Sequence, residues 1–132
     1  MGDRATVQFA SPEGALSACL YSHNGGHEFV MSAMAYARQC VTAALTHKGV
    51  SYPLNRCDPD SVMFNFVRSI QPVGVVFTGD YFLCFEYVAD LSNHGLTRIV
   101  MDVEHRRIEA IHLGDDPERP PAQASRICYQ CQ

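Results

Sequence analysis

The sequence has no long apolar run. No hydrophobic stretch approaches the roughly 20 residues needed to cross a bilayer. Met1-Gly2-Asp3-Arg4-Ala5 is followed by nothing like the apolar core of a secretory signal, so no export and no membrane partner are expected. Charge is also scarce. Only 18% of the 132 residues are Asp, Glu, Lys or Arg, and the net charge is −4. That is too mild for a polyanionic mimic of nucleic acid, and its sign is wrong for a general nucleic-acid binder, although a local basic patch stays open. Lysine is almost missing: Lys48 stands beside nine arginines, a skew that reads as codon composition more than chemistry. There is no internal repeat, no second domain and no cofactor fingerprint, so no cofactor is expected.

What is present is hydrophobic residue, at 47% of the chain. One domain of this size can bury a core without disulfides or a metal. The six cysteines therefore read as free thiols in a reducing cytoplasm, most of them acting as small core hydrophobes.

The patterning predicts an α+β domain over residues 1–113. Residues 5–9 and 15–22 form an N-terminal hairpin about the turn Ser11-Pro12-Glu13-Gly14. Apolar residues at Phe29, Val30, Ala33, Met34, Ala37, Cys40, Val41, Ala44 and Leu45 predict a helix over 28–48, stopped by Gly49. Asp58-Pro59-Asp60 opens a second helix, with Val62, Met63, Phe66, Val67 and Ile70 as its buried stripe. Four strands then form an antiparallel β-meander with the helices packed on one face. The strands are 73–78, 81–89, 97–104 and 108–113, and Gly79-Asp80 closes the first turn. The second strand is apolar on both faces, as a central strand would be. The last is short and apolar, a candidate sheet edge that gives a possible homodimer. Residues 114–132, with three prolines and few apolar groups, read as a loosely ordered tail.

Several residues invite chemistry. Cys128-Tyr129-Gln130-Cys131 has metal-ligand spacing, but a zinc site needs two further ligands, for which His23 and His27 are the candidates. The plain alternative is an inert tail. His23-Asn24-Gly25-Gly26-His27 precedes a helix and can present amides to an anion, yet it lacks the Lys and Ser/Thr of a phosphate loop and reads equally as a tight turn. Cys57, just before a helix N-terminus, is the best-placed thiol for a nucleophile, with His23, His27 or His47 as base. The competing reading is a loop or core cysteine. In the third meander strand Ile99, Met101 and Val103 point inward, while Arg98, Asp102 and Glu104 point outward. Together with Glu86, Arg106 and Arg107 these form a charged sheet face. It reads as a solvated surface or as a contact surface for a partner.

Met1-Gly-Asp-Arg-Ala5, followed by Tyr21-Ser-His-Asn-Gly-Gly26, resembles the opening of a group of small uncharacterised proteins of phages, prophages and plasmids. Those carry Met-Gly-x-Arg-Ala and then a short strand ending in Tyr-x-His-x-x-Gly-Gly, or close to it, before a helix. The likeness spans roughly the first fifty residues, and Asn24 departs from it where an aromatic is frequent. It implies a mobile-element origin and assigns no catalytic residue. The expectation is a non-enzymatic, cytoplasmic interaction protein that binds and inhibits a host defence complex, as anti-CRISPR proteins do, with nucleic-acid-associated complexes among the candidates. The competing reading is a small metal- or thiol-dependent enzyme using His23 and His27 with Cys57, or with Cys128 and Cys131.

Overall fold

The structure, a computed structural model, describes residues 2–46, 57–70, 81–84 and 86–131. The expected strand at 73–78, the turn Gly79-Asp80, Gly49 and His47 lie outside that set. Strand β1 (Ala5–Ala10) pairs antiparallel with β2 (Cys19–Ser22), Val7 opposite Leu20. Residues 15–18 do not extend β2 as expected. Ser17 interrupts the ladder: its hydroxyl accepts the Phe9 amide at 3.0 Å, and its own amide donates to the Phe9 carbonyl at 2.9 Å. A polar side chain thus takes a place that a backbone carbonyl would fill.

Helix α1 (Gly26–Thr46) buries Phe29, Ala33, Met34, Ala37 and Val41, the face its spacing predicts. Helix α2 (Pro59–Ile70) starts at its proline. The Val62 amide makes the first helical bond to the Asp58 carbonyl at 3.1 Å, and the Ser61 hydroxyl donates to the Asp58 carboxylate at 2.6 Å. Val62, Met63, Phe66 and Val67 are buried. Phe66 is the hub of the core. Its ring lies 5.8 Å from Phe9, edge-on, 5.8 Å from Phe29 and 5.6 Å from Tyr36, so strand β1 and both helices meet on one side chain.

The remaining strands are β3 (Tyr81–Cys84), β4 (Leu96–Asp102), β5 (Arg107–Gly114) and β6 (Ser125–Gln130). All six form one mixed sheet in the order β3-β2-β1-β4-β5-β6. Both helices pack on one face of it, as expected.

The meander expectation needs three corrections. Of the described strands expected in it, β4 and β5 are joined by β6, and β1 lies parallel to β4, Phe9 beside Ile99. Strand β1 is buried along its whole length, so it takes a neighbour on each side. Second, β3 ends the row of described strands instead of sitting at its centre. Residues 86–88 are not in the sheet, and one 3₁₀ turn follows at Ala89–Leu91. Third, the segment expected to be a loose tail supplies β6, which covers β5, so the expected edge strand is internal. The three prolines lie in the β5–β6 connection, where no ladder bond is lost. Beyond them Ile127, Tyr129 and Cys131 alternate onto the helix side. Cys131 is buried in the core, and the Arg38 guanidinium lies 5.4 Å from the Tyr129 ring centre.

Candidate functional site

The face of the sheet away from the helices carries cross-strand rows set by the register. Gln8, Arg98, Ile111 and Arg126 form one row; Ala10, Val100, Glu109 and Cys128 the next; Asp102, Arg107 and Gln130 the third. This face is only partly open. Cys19, Leu96 and Leu113 form a second small core with Tyr87 and Ile111 packed on it, and Thr6, Gln8 and Ala10 are buried.

Beside that small core is a cleft of about 660 Å³. Its floor is Gln8, Leu96 and Arg98, and its walls carry Glu86, Tyr87 and the run Asp115-Asp116-Pro117-Glu118. Arg98 is held from below. The Gln8 side-chain amide donates to the Ser17 carbonyl at 2.9 Å, and its oxygen accepts from Arg98 Nε at 3.0 Å. Gln8 is 6% exposed, so this support is rigid. The guanidinium forms no ion pair among the described residues. The acidic wall is also fixed, because the Asp116 carboxylate accepts the Glu118 and Arg119 amides at 3.0 and 3.3 Å. Burial and then the Asp115 charge push the Tyr87 hydroxyl up.

Of the residues expected to make contacts, Arg98 and Glu86 share this cleft. The other four gather at the β4–β5 turn, about 13 Å further along β4. Asp102 points outward as expected, yet it is buried and not solvated. The turn closes over it: its carboxylate accepts the His105 amide at 3.1 Å and faces His105 Nδ1 at 2.9 Å and Arg107 at 3.6 Å. Burial pushes its carboxyl up, but the His105 amide and ring and the Arg107 charge outweigh burial and hold it below the ordinary range. Asp102 thus locks a tight turn in which Arg106 takes φ +56°. Glu104 and Arg106 are exposed on that turn.

Among the described residues the metal and thiol sets do not assemble; His47, the third candidate base for Cys57, lies outside them. His23 and His27 sit beside β2 and at the start of α1, whereas β6 lies across three intervening strands, about 19 Å away. Cys128 is exposed on the outer face while Cys131 is buried on the helix side. Cys57 donates its thiol to the Cys40 carbonyl at 3.2 Å, roughly 20 Å along α1 from His27. Burial, with further contributions from Cys40, Asp58 and Cys131, pushes the Cys57 thiol up to about 12, so desolvation overrides the helix end expected to favour a thiolate. Among the described residues no group of three His, Cys, Asp or Glu side chains is placed to hold a metal ion.

The Gly25-Gly26 joint is also spoken for. The Gly25 amide donates to the Ser22 hydroxyl at 3.0 Å and the Gly26 amide to the Asp3 carbonyl at 2.7 Å. Gly26 has φ +49°, and a Cβ there would strike the Asp3 carboxylate; a Cβ on Gly2 would lie 2.5 Å from the His23 carbonyl oxygen. Tyr21 and His23 bond each other at 2.8 Å, and Asp3 bonds His94. Gly2 and Asp3, and the segment Tyr21–Gly26, the two places that carry the resemblance, therefore close on one another as a structural clasp.

Sequence reasoning missed Gln8, Tyr87, Asp115, Asp116 and Glu118. Three of them lie in the stretch read as tail, where the signal was an acidic run beside a proline. Gln8 had no signal, since its role depends on the parallel β1–β4 pair. Compared with family models, curated proteins and solved structures, the chain matches none. No described helix is long and apolar enough to cross a membrane.

Proposed function

We propose that the chain is a non-enzymatic, cytoplasmic binding protein of a phage or mobile element, and that it inhibits a host defence complex by engaging a basic surface of it. The observation that carries this reading is the outer-face cleft, with four exposed carboxylates, Asp116 held by backbone amides among them, around one oriented arginine. Machinery that handles nucleic acid presents Arg and Lys to phosphate. A cleft of opposite charge competes for those side chains, and Arg98 adds a fork for a carboxylate at the rim of the same surface. The defence target rests on the sequence resemblance; the choice of a basic partner rests on the cleft.

The test is a pull-down with the tagged protein from host lysates carrying defence systems, alongside phage plating on the same strains. The expected result is co-elution of one complex and restored plating. The variant Asp115→Lys/Glu118→Lys is expected to weaken capture more than tenfold with an unchanged circular dichroism spectrum. Capture by the unmodified protein is expected to fall between 0.1 and 0.5 M salt, as the screening length shrinks from about 10 Å at 0.1 M. No captured complex together with no effect on plating sinks the proposal. Full capture by the charge-reversed variant removes the cleft from it.

A further inference from the structure

We infer that β6 is a self-association edge: two copies join antiparallel along it about a two-fold axis at Cys128, continuing one sheet through both chains. Strand β6 ends the row of described strands, and its ladder with β5 runs without a bulge from Arg107–Gln130 to His112–Ser125. No described strand pairs with its other side. Free edges are normally blunted by lysine, proline, a bulge or an inward charge. Ser125-Arg126-Ile127-Cys128-Tyr129-Gln130 has none of these in its own sequence; Arg38 reaches from α1 to donate to the outward Gln130 carbonyl at 3.1 Å, a bond that the Arg126 amide of the second copy replaces. Its single charge, Arg126, is engaged by Glu109 on β5 at 3.3 Å. Ile127 is 47% exposed, a large aliphatic side chain left in water on the helix side of the edge.

A second copy is the occupant because the strand is complementary to its own reverse. Turned about Cys128, Ile127 faces Tyr129 of the other copy, apolar against apolar on the helix side. Arg126 faces Gln130, polar against polar on the outer side, and the two Cys128 residues face each other. No like charges are opposed, and each matched pair occurs twice, as an isologous interface requires. Centred on Ile127 instead, the strand would set Arg126 against Cys128 and Ser125 against Tyr129, losing both matches. The β6 edge and the acidic cleft use different parts of the molecule, so neither proposal depends on the other.

Sedimentation velocity across a concentration series, with bismaleimide cross-linking of the same samples, tests the inference. The expected result is a species of twice the chain mass that grows with concentration. Cross-linked dimer is expected to disappear in Cys128→Ala, because directly opposed residues bring their Cβ atoms within about 5.5 Å. Ile127→Lys, at an already exposed position, is expected to weaken the dimer about tenfold by removing two cross-strand pairs. Each copy carries −4, so moderate salt is expected to strengthen this dimer, the opposite of its effect on a complex with a basic partner. A chain that stays monomeric at all concentrations overturns the inference, and so does a dimer that cross-links equally well in Cys128→Ala.

Discussion

Asp102 shows how one side chain can belong to a surface by direction and to the interior by environment. Alternation correctly placed it opposite Ile99 and Met101. Its burial was not legible, because it depends on a turn whose own conformation Asp102 helps to fix. The acid dependence follows from the lowered carboxyl. The folded value lies below the unfolded one near 3.8, so the stabilisation is complete above the unfolded value and is lost as pH falls through the folded one. Asp102→Asn is expected to cost about 1 kcal/mol at pH 7 by urea unfolding, a figure kept small because His105 is largely exposed. The difference from the unmodified protein is expected to shrink as the pH falls below the unfolded value near 3.8. A difference that stays constant across that range would mean that the carboxylate charge contributes nothing. Cys57 teaches the converse. Its position before a helix was readable, but its partner, the Cys40 carbonyl, belongs to another helix. Local sequence carries the dipole, and only packing reveals the desolvation that defeats it.

At the scale of elements, legibility followed periodicity. Both helices lie where spacing and caps put them, because Phe29, Ala33, Ala37 and Val41, and then Val62, Phe66 and Val67, repeat at helical intervals over several turns. Strand β6 failed the same reading. Its alternation of Ile127, Tyr129 and Cys131 is three residues deep and follows a proline-rich connection, so composition outweighed pattern. Amide hydrogen exchange separates tail from strand. Alternate amides between Ser125 and Gln130, those facing β5, are expected to be protected to a degree comparable with β5 itself. Exchange across 125–130 as fast as in the Pro117–Pro121 connection would remove β6 from the sheet. The acidic wall of the cleft was hidden for the same reason as β6. It lies between two strands, and composition predicts a loose tail in place of one of them.

For the whole molecule, the hardest feature to foresee was the parallel neighbour of β1. A hairpin announces itself through its turn, but nothing local links residue 6 to residue 96. That single pairing places the first strand of the chain at the middle of the sheet, and it has a consequence in time. Loop-closure entropy must be met before so distant a contact forms, so refolding is expected in the slow range, milliseconds to seconds, when followed by stopped-flow fluorescence of the tyrosines. Microsecond refolding would mean that the pairing is absent from the rate-limiting step. During synthesis the first hairpin emerges with one apolar flank bare, and it stays bare until most of the chain has been made. A nascent chain interrupted before β4 is therefore no smaller version of this fold. It is an open-sided sheet looking for a strand, and any extended apolar segment nearby can answer it.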